Sequence, residues 1–248
     1  MSNAKRGRAL IIAMTEFHNR SERSRDMLEP RKGVKRDTDR LFRALSLLGY
    51  NVSLHLDVSA REIREIYHNE SRFVQGECFI SILSSHGQEG LIYDFYGEPV
   101  YLRDLYDSLS PKNCPALAGI PKLFFIQACR GKEIDEGVVL ETDSAECEAD
   151  TFCHSWNLPS DTVVMFATSE GYVAFQNPAG SFFLQTLCDI IEGEERELAL
   201  NQIFTLISYH TAYNFQSRGT YAGYKEMPCF ITNLTKELRP FRQLENTC

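Results

Sequence analysis

Apolar residues recur along this chain in two forms, short continuous runs and stripes at helical spacing. Residues 9–14 (ALIIAM) are apolar on both faces and have the length of a buried strand. Residues 35–48 carry Leu41, Phe42, Leu45 and Leu48 at helical spacing ahead of Gly49, which predicts a helix stopped by that glycine. Residues 51–55 alternate as a short strand, and 60–73 have the pattern of an amphipathic helix. Residues 78–83 (CFISIL) predict a buried strand that stops at Ser84, Ser85, His86 and Gly87. A short helix over 102–109 follows, then a buried strand over 122–126 (KLFFI) running into Gln127, Ala128 and Cys129. Residues 162–168 (TVVMFAT) predict a strand, 180–191 and 198–212 helices, and 229–231 a last strand.

Strands that alternate with helices, each apolar on both faces, point to an α/β fold with a mostly parallel sheet covered by helices. At about 150 residues per domain, 248 residues allow one large domain or two small ones, and the alternation is continuous enough for one. A hydrophobic fraction of 43% supplies a full core and excludes wholesale disorder. No apolar run reaches the ~18 residues of a membrane span, and the apolar stretch after MSNAKRGR is too short for a secretory signal. The first strand leads into MTEF without the glycines that backbone approach to a pyrophosphate demands, which argues against a dinucleotide or P-loop function.

The net charge is −8, a balance that disfavours nucleic acid as a primary partner. The acid is concentrated. Glu133, Asp135, Glu136, Glu141, Asp143, Glu146, Glu148 and Asp150 lie in one stretch without a base, which by composition reads as a solvated loop.

The 8 cysteines have no C-x-x-C pair, so neither a disulfide scaffold nor a zinc ribbon is indicated. Cys147, Cys153 and His154 lack a fourth partner, and neither metal nor cofactor is expected. Cys78, Cys188 and Cys229 sit in apolar runs and read as small buried hydrophobes. Without a signal peptide the expected compartment is the cytoplasm, with the nucleus as a second, where a special cysteine is catalytic rather than bridged.

Chemistry gathers beyond the carboxyl ends of strands in an open parallel sheet, which is where His86 and Cys129 are expected. A thiol beside an imidazole is a workable nucleophile and base. Singly, each residue reads as an ordinary loop histidine and an ordinary core cysteine. What lifts the pair is QACRG around Cys129, about 43 residues after His86, since Q-A-C-[RQG]-G with an upstream histidine is the local signature of caspases.

From Arg8 to Phe241 the chain resembles the caspases, cysteine endopeptidases that cleave after aspartate. SHGQEG is similar to the family's histidine loop and KLFFIQACRG to its nucleophile strand. GYVAFQN with GSFFLQTLC is similar to the substrate-binding loop and following helix, and MPCFITNLTKEL to the final strand of executioner-type members. The resemblance implies the caspase–haemoglobinase fold, a six-stranded, mostly parallel sheet with helices on both faces. It implies a short N-terminal segment at 1–7, a large subunit at 8–143 and a small one at 144–248, with an acidic linker at about 131–161. Initiator members carry an adaptor-binding domain ahead of the first strand, so the short segment suggests the effector type. Two copies would pair through the strand that starts at Met227 and ends at Leu234.

For the site, the resemblance implies Cys129 as nucleophile, His86 as general acid and base, and the backbone N–H groups of Gly87 and Cys129 as the oxyanion hole. Residues read this way as substrate-binding are Arg31, Ser85, Gln127, Val173, Ala174, Phe175 and Gln176. Arg31 and Gln127 fall where the family places a pocket arginine and glutamine; Val173 and Phe175 stand where larger aromatics are common, implying a roomier apolar subsite. Gln176 departs from the family's arginine and loses both charge and fork. Either turnover falls ~10- to 100-fold, or Arg31 suffices and only preference at neighbouring substrate positions changes.

LETDS resembles an activation cleavage site with Asp143 as the cut residue, Asp150 and Asp135 following. The implied function is a zymogen-derived, Asp-directed protease acting in apoptosis-like proteolysis, with peptide and protein substrates, an upstream caspase and inhibitor proteins as partners. A second reading, favoured by Gln176, is a weakly active or inactive regulator that binds or dimerises with active relatives. The intact His86, Cys129, Arg31 and Gln127 oppose it.

Overall fold

A computed structural model describes residues 6–18, 28–70, 76–135, 158–217 and 222–243. Its elements in chain order are β1 (Gly7–Ala13), α1 (Val34–Leu47), β2 (Tyr50–Leu56), α2 (Ala60–Glu70), β3 (Cys78–Ser84), β4 (Gly87–Gln88), β5 (Leu91–Tyr93), β6 (Pro99–Tyr101), α3 (Leu102–Ser108), β7 (Lys122–Gln127), β8 (Gly131–Glu133), β9 (Thr162–Phe166), β10 (Gly171–Tyr172), α4 (Phe182–Glu192), α5 (Leu200–Asn214) and β11 (Cys229–Thr232).

The main sheet has six strands in the order β11-β9-β7-β3-β1-β2, all parallel except β11. Period-two alternation sorts its side chains to two faces. Ile11, Ile80, Ile82, Leu123, Phe125, Val163 and Met165 face one core with Leu41, Leu45, Leu187 and Ile203 of α1, α4 and α5. Leu10, Ile12, Phe79, Leu83, Phe124, Ile126, Val164 and Phe166 face the other, with Ile63, Tyr67, Leu102 and Leu105 of α2 and α3. These strands read as unbroken apolar runs because both faces are covered.

The predicted elements agree with those observed to within a few residues. The sequence reading missed two small sheets, β4-β5-β6 and the parallel pair β8-β10. Strands of two or three residues are too short to show a period. Cys78 and Cys188 are buried as expected, but Cys229 is only partly so. Its sulfur accepts a hydrogen bond from Arg130 Nη1 at 3.0 Å, so a polar neighbour holds it at the edge of the core.

Both missed sheets flank the site. β4-β5-β6 follows His86 directly. The β8-β10 pair ties the chain leaving Cys129 to the chain entering Val173, and the backbones touch so closely that a Cβ on Gly131 would overlap the Gly171 carbonyl.

Candidate active site

Neighbouring β3 and β7 carry Ser84 and Gln127 at paired positions, and the Ser85 N–H continues the ladder to the Gln127 carbonyl at 3.1 Å. His86 and Cys129 therefore leave the sheet two residues beyond the same rung. Both line a groove of about 700 Å³ together with Arg31, Ser85, Gln127, Val173, Ala174, Phe175 and Gln176. Gly87 lies just behind it: a Cβ there would press on Ala128 and on the Cys129 carbonyl. Asp143 and Asp150 fall outside the described residues. Asp135 is held in an antiparallel bridge with Lys225, an arrangement that a protease would have to open before cutting.

His86 Nε2 donates to the Glu29 carbonyl at 2.8 Å, and the Phe17 ring packs on the imidazole with centroids 4.9 Å apart. With Nε2 holding the proton, Nδ1 keeps its lone pair and is the nitrogen able to accept one. Burial lowers the His86 pKa, and the nearby Arg31 charge adds to the effect. The Cys129 sulfur accepts from the Ala174 N–H at 3.4 Å and lies 3.7 Å from the Ala174 carbonyl. Burial raises this thiol, while the Ala174 contact and Arg31 favour the thiolate. Opposite displacements make the resting pair a neutral thiol and a neutral imidazole.

Arg31 is the buried cation of the groove. Nη1 donates to the Met14 carbonyl at 3.2 Å and to Ser84 Oγ at 3.0 Å, and Nη2 to Gln176 Oε1 at 2.5 Å. Burial pushes its pKa down to about 10, with Cys129 and Asp37 opposing. Gln176 also donates to Asp37 Oδ2 at 3.4 Å, so it bridges a cation and an anion. Gln127 Nε2 donates to the Phe175 carbonyl at 3.2 Å and has a second N–H to offer. Ser85 contributes backbone rather than hydroxyl, because its Oγ donates to the Tyr93 carbonyl at 2.5 Å.

Four participants were missed by sequence reasoning. The Glu29 carbonyl has no side-chain signature. Asp37, fully buried in α1, accepts from the Ser181 N–H and from Gln185 Nε2, joining α1 to the start of α4. Phe215, at the end of α5, packs on Phe175 with centroids 5.5 Å apart. Glu226 accepts from the Phe175 N–H at 3.2 Å. The last three carry chemistry that a sequence displays, but no local spacing relates them to Cys129.

The family model for the caspase domain matches residues 6–239. The chain belongs to the caspase family. It is 33% identical over 247 residues to caspase-7 of Gallus gallus, covering 96% of this chain and 78% of that protein. It is 33% identical over 244 residues to caspase-3 of Bos taurus, covering 96% and 86%. The crystal structure of caspase-1 from Spodoptera frugiperda matches with a TM-score of 0.78 at 26% identity, covering 95% of this chain and 92% of that one. The fold is thus caspase-like, and the protein is a cysteine-type endopeptidase, a hydrolase acting on peptide bonds. No helix among the described residues is long and apolar enough to cross a membrane.

Gly33 starts α1 at the edge of this caspase site with φ 94°, and a Cβ there would meet the Asn177 carbonyl and Gly180 backbone. Both the strained φ and the collision fall on main chain that cannot swing aside. Gly33→Ala is expected to cost about 2 kcal/mol, a fall in Tm of roughly 4–8 °C by calorimetry. An unchanged Tm would show that loop 177–180 yields freely.

Proposed function

We propose that this caspase cleaves after aspartate, with Cys129 as nucleophile and His86 as general base and then acid. The observation that carries the reading is the shared groove: thiol, imidazole and a buried guanidinium line one cavity. An extended peptide adds to the backbone of residues 173–175, and its arrival displaces Ala174 from the sulfur. His86 Nδ1 takes the thiol proton, and sulfur attacks the scissile carbonyl. The N–H groups of Gly87 and Cys129 stabilise the oxyanion, a contribution of about 2.7–4 kcal/mol per donor. The imidazolium protonates the leaving amine, and water then releases the acyl group from sulfur.

Arg31 holds the aspartate carboxylate, assisted by the free N–H of Gln127. A buried carboxylate without a cation is costly, so this guanidinium sets the preference. Gln176 weakens the pocket, since one N–H of its amide goes to Asp37, leaving one for the substrate, and its oxygen already engages Arg31. Val173 and Phe175 wall the neighbouring subsite.

The protein acts as an effector in apoptosis-like proteolysis in the cytoplasm, where its described cysteines remain free thiols. It is made as a zymogen with a large subunit at 8–143 and a small one at 144–248, cut at Asp143 or Asp150. Active molecules pair through β11, which ends the sheet and exposes Phe230. An upstream caspase and inhibitor proteins are its further partners.

A panel of fluorogenic tetrapeptides ending in aspartate tests the reading, alongside Gln176→Arg. Turnover is expected with aspartate and not with alanine at that position. Gln176→Arg is expected to raise kcat/KM by about 10- to 100-fold, because a second fork faces the carboxylate. No turnover, together with tight binding to an active relative, favours a regulator, the reading to which Gln176 lends support.

A further inference from the structure

Glu226 lies outside the groove lining and takes no part in the steps above, yet it is 1% exposed and reaches the substrate segment. Its Oε2 accepts from the Phe175 N–H at 3.2 Å, while Oε1 is buried with no hydrogen-bond partner among the described residues. Two residues further on, the chain enters the last strand by way of Pro228, so Glu226 joins that strand to the loop that binds substrate.

We propose that Glu226 is a positioning residue for catalysis: its buried carboxyl fixes the Phe175 backbone, one residue from the Ala174 contact on the Cys129 sulfur, and so governs the reactivity of that thiol. The inference rests on the proteolytic reading of the same groove. Phe175 follows Ala174, whose N–H touches the sulfur, so holding Phe175 holds that thiolate-stabilising contact in the substrate-free enzyme and keeps the backbone of 173–175 placed for the incoming peptide.

The surroundings explain the sign. Burial without a cation pushes the Glu226 pKa up to about 8, against the single opposing Phe175 N–H. Lys225, its neighbour in sequence, turns Nζ to the Phe215 carbonyl at 2.9 Å and the Ala212 carbonyl at 3.4 Å, and its backbone bridges to Asp135. From the nucleophile segment, Cys129 is the ionisable group that feels a Glu226 charge, which raises the thiol; Arg31 acts on the same thiol in the opposite direction. Below about pH 8 the carboxyl is protonated and the thiolate is unopposed by it. Above that pH a carboxylate confronts the forming thiolate.

The test is the pH dependence of iodoacetamide alkylation at Cys129, followed by mass spectrometry of its peptide in the wild-type chain and in Glu226→Gln. Glutamine keeps an acceptor for the Phe175 N–H but cannot ionise. The two profiles are expected to coincide below about pH 7. Near pH 9 the variant should react about three- to tenfold faster. Profiles that superimpose from pH 6 to 10 would overturn the inference. Alkylation needs no substrate, so this outcome is separate from failure of the proposed protease activity. On a cleavable peptide, Glu226→Ala should raise KM several-fold, with Glu226→Gln restoring it. A KM equal to the wild-type value in Glu226→Ala removes the positioning role.

Discussion

Replacing Cys129 by alanine will lower kcat for an aspartate-terminated peptide by about 10⁴-fold or more, and His86→Ala added to it will cost little further. In the proposed mechanism the two residues act as one unit: without the sulfur, the imidazole has no proton to take. Stability should scarcely change, because the thiol is half-buried and its hydrogen-bond contacts are with Ala174 alone among the described residues. An unchanged Tm with lost turnover separates chemistry from folding. The pH profile of the active enzyme adds a check on His86. Its pKa is lowered by burial, so the base is already free at pH values where an ordinary histidine, near 6.5, is half protonated. The acid limb of kcat/KM is therefore expected below about pH 6.5. Residual cleavage by Cys129→Ala within tenfold of wild type would place the nucleophile elsewhere.

Arg31→Met should separate function from stability in the opposite sense to a core mutation. The guanidinium pays for its burial with a pKa pushed down to about 10, which means that the folded chain disfavours its charge. Methionine of similar length removes that penalty while leaving Ser84 Oγ and the Met14 carbonyl without their donor. These effects oppose each other, so Tm should move by only a few degrees. Activity should not survive so well. Two charge-assisted hydrogen bonds to a substrate carboxylate, at roughly 1.5–3 kcal/mol each, correspond to about a 10²- to 10⁴-fold loss in kcat/KM. Arg31→Lys keeps the charge but not the fork and should fall between. If Arg31→Met cleaves aspartate peptides at the wild-type rate, the carboxylate is read by another group.

Gln176 shows how a single substitution looks different once its neighbours are known. Read along the chain it is an arginine position that has lost its charge. In the folded protein its amide is engaged at both ends, oxygen on Arg31 and nitrogen on Asp37. Arg31 is thereby held in place but partly occupied, and under the proposed function a substrate carboxylate competes with the Gln176 oxygen for Nη2. Spacing alone could not reveal this, because Asp37 lies in α1 and Gln176 lies 139 residues away.

The six strands of the main sheet, the five helices, the glycine that ends α1 and the two strand exits bearing His86 and Cys129 were determined by the sequence; the short strands β4, β5, β6, β8 and β10 were not. Each is a local matter of period, of apolar run length or of a residue with unusual backbone freedom, and local rules act over a few residues. QACRG carried the chemistry for the same reason, as a contiguous pentapeptide. Tertiary structure alone decided what surrounds the reacting atoms. The Glu29 carbonyl that orients His86 exists in some form at every residue, so only the path of the chain selects it. Glu226, Phe215 and Asp37 were visible as letters, but their value comes from burial and from contacts across more than 30 residues of chain. A carboxyl in water is an ordinary acid. Buried against the Phe175 backbone, the same group has its pKa pushed up to about 8, and only the folded chain brings residues 175 and 226 together to make that environment.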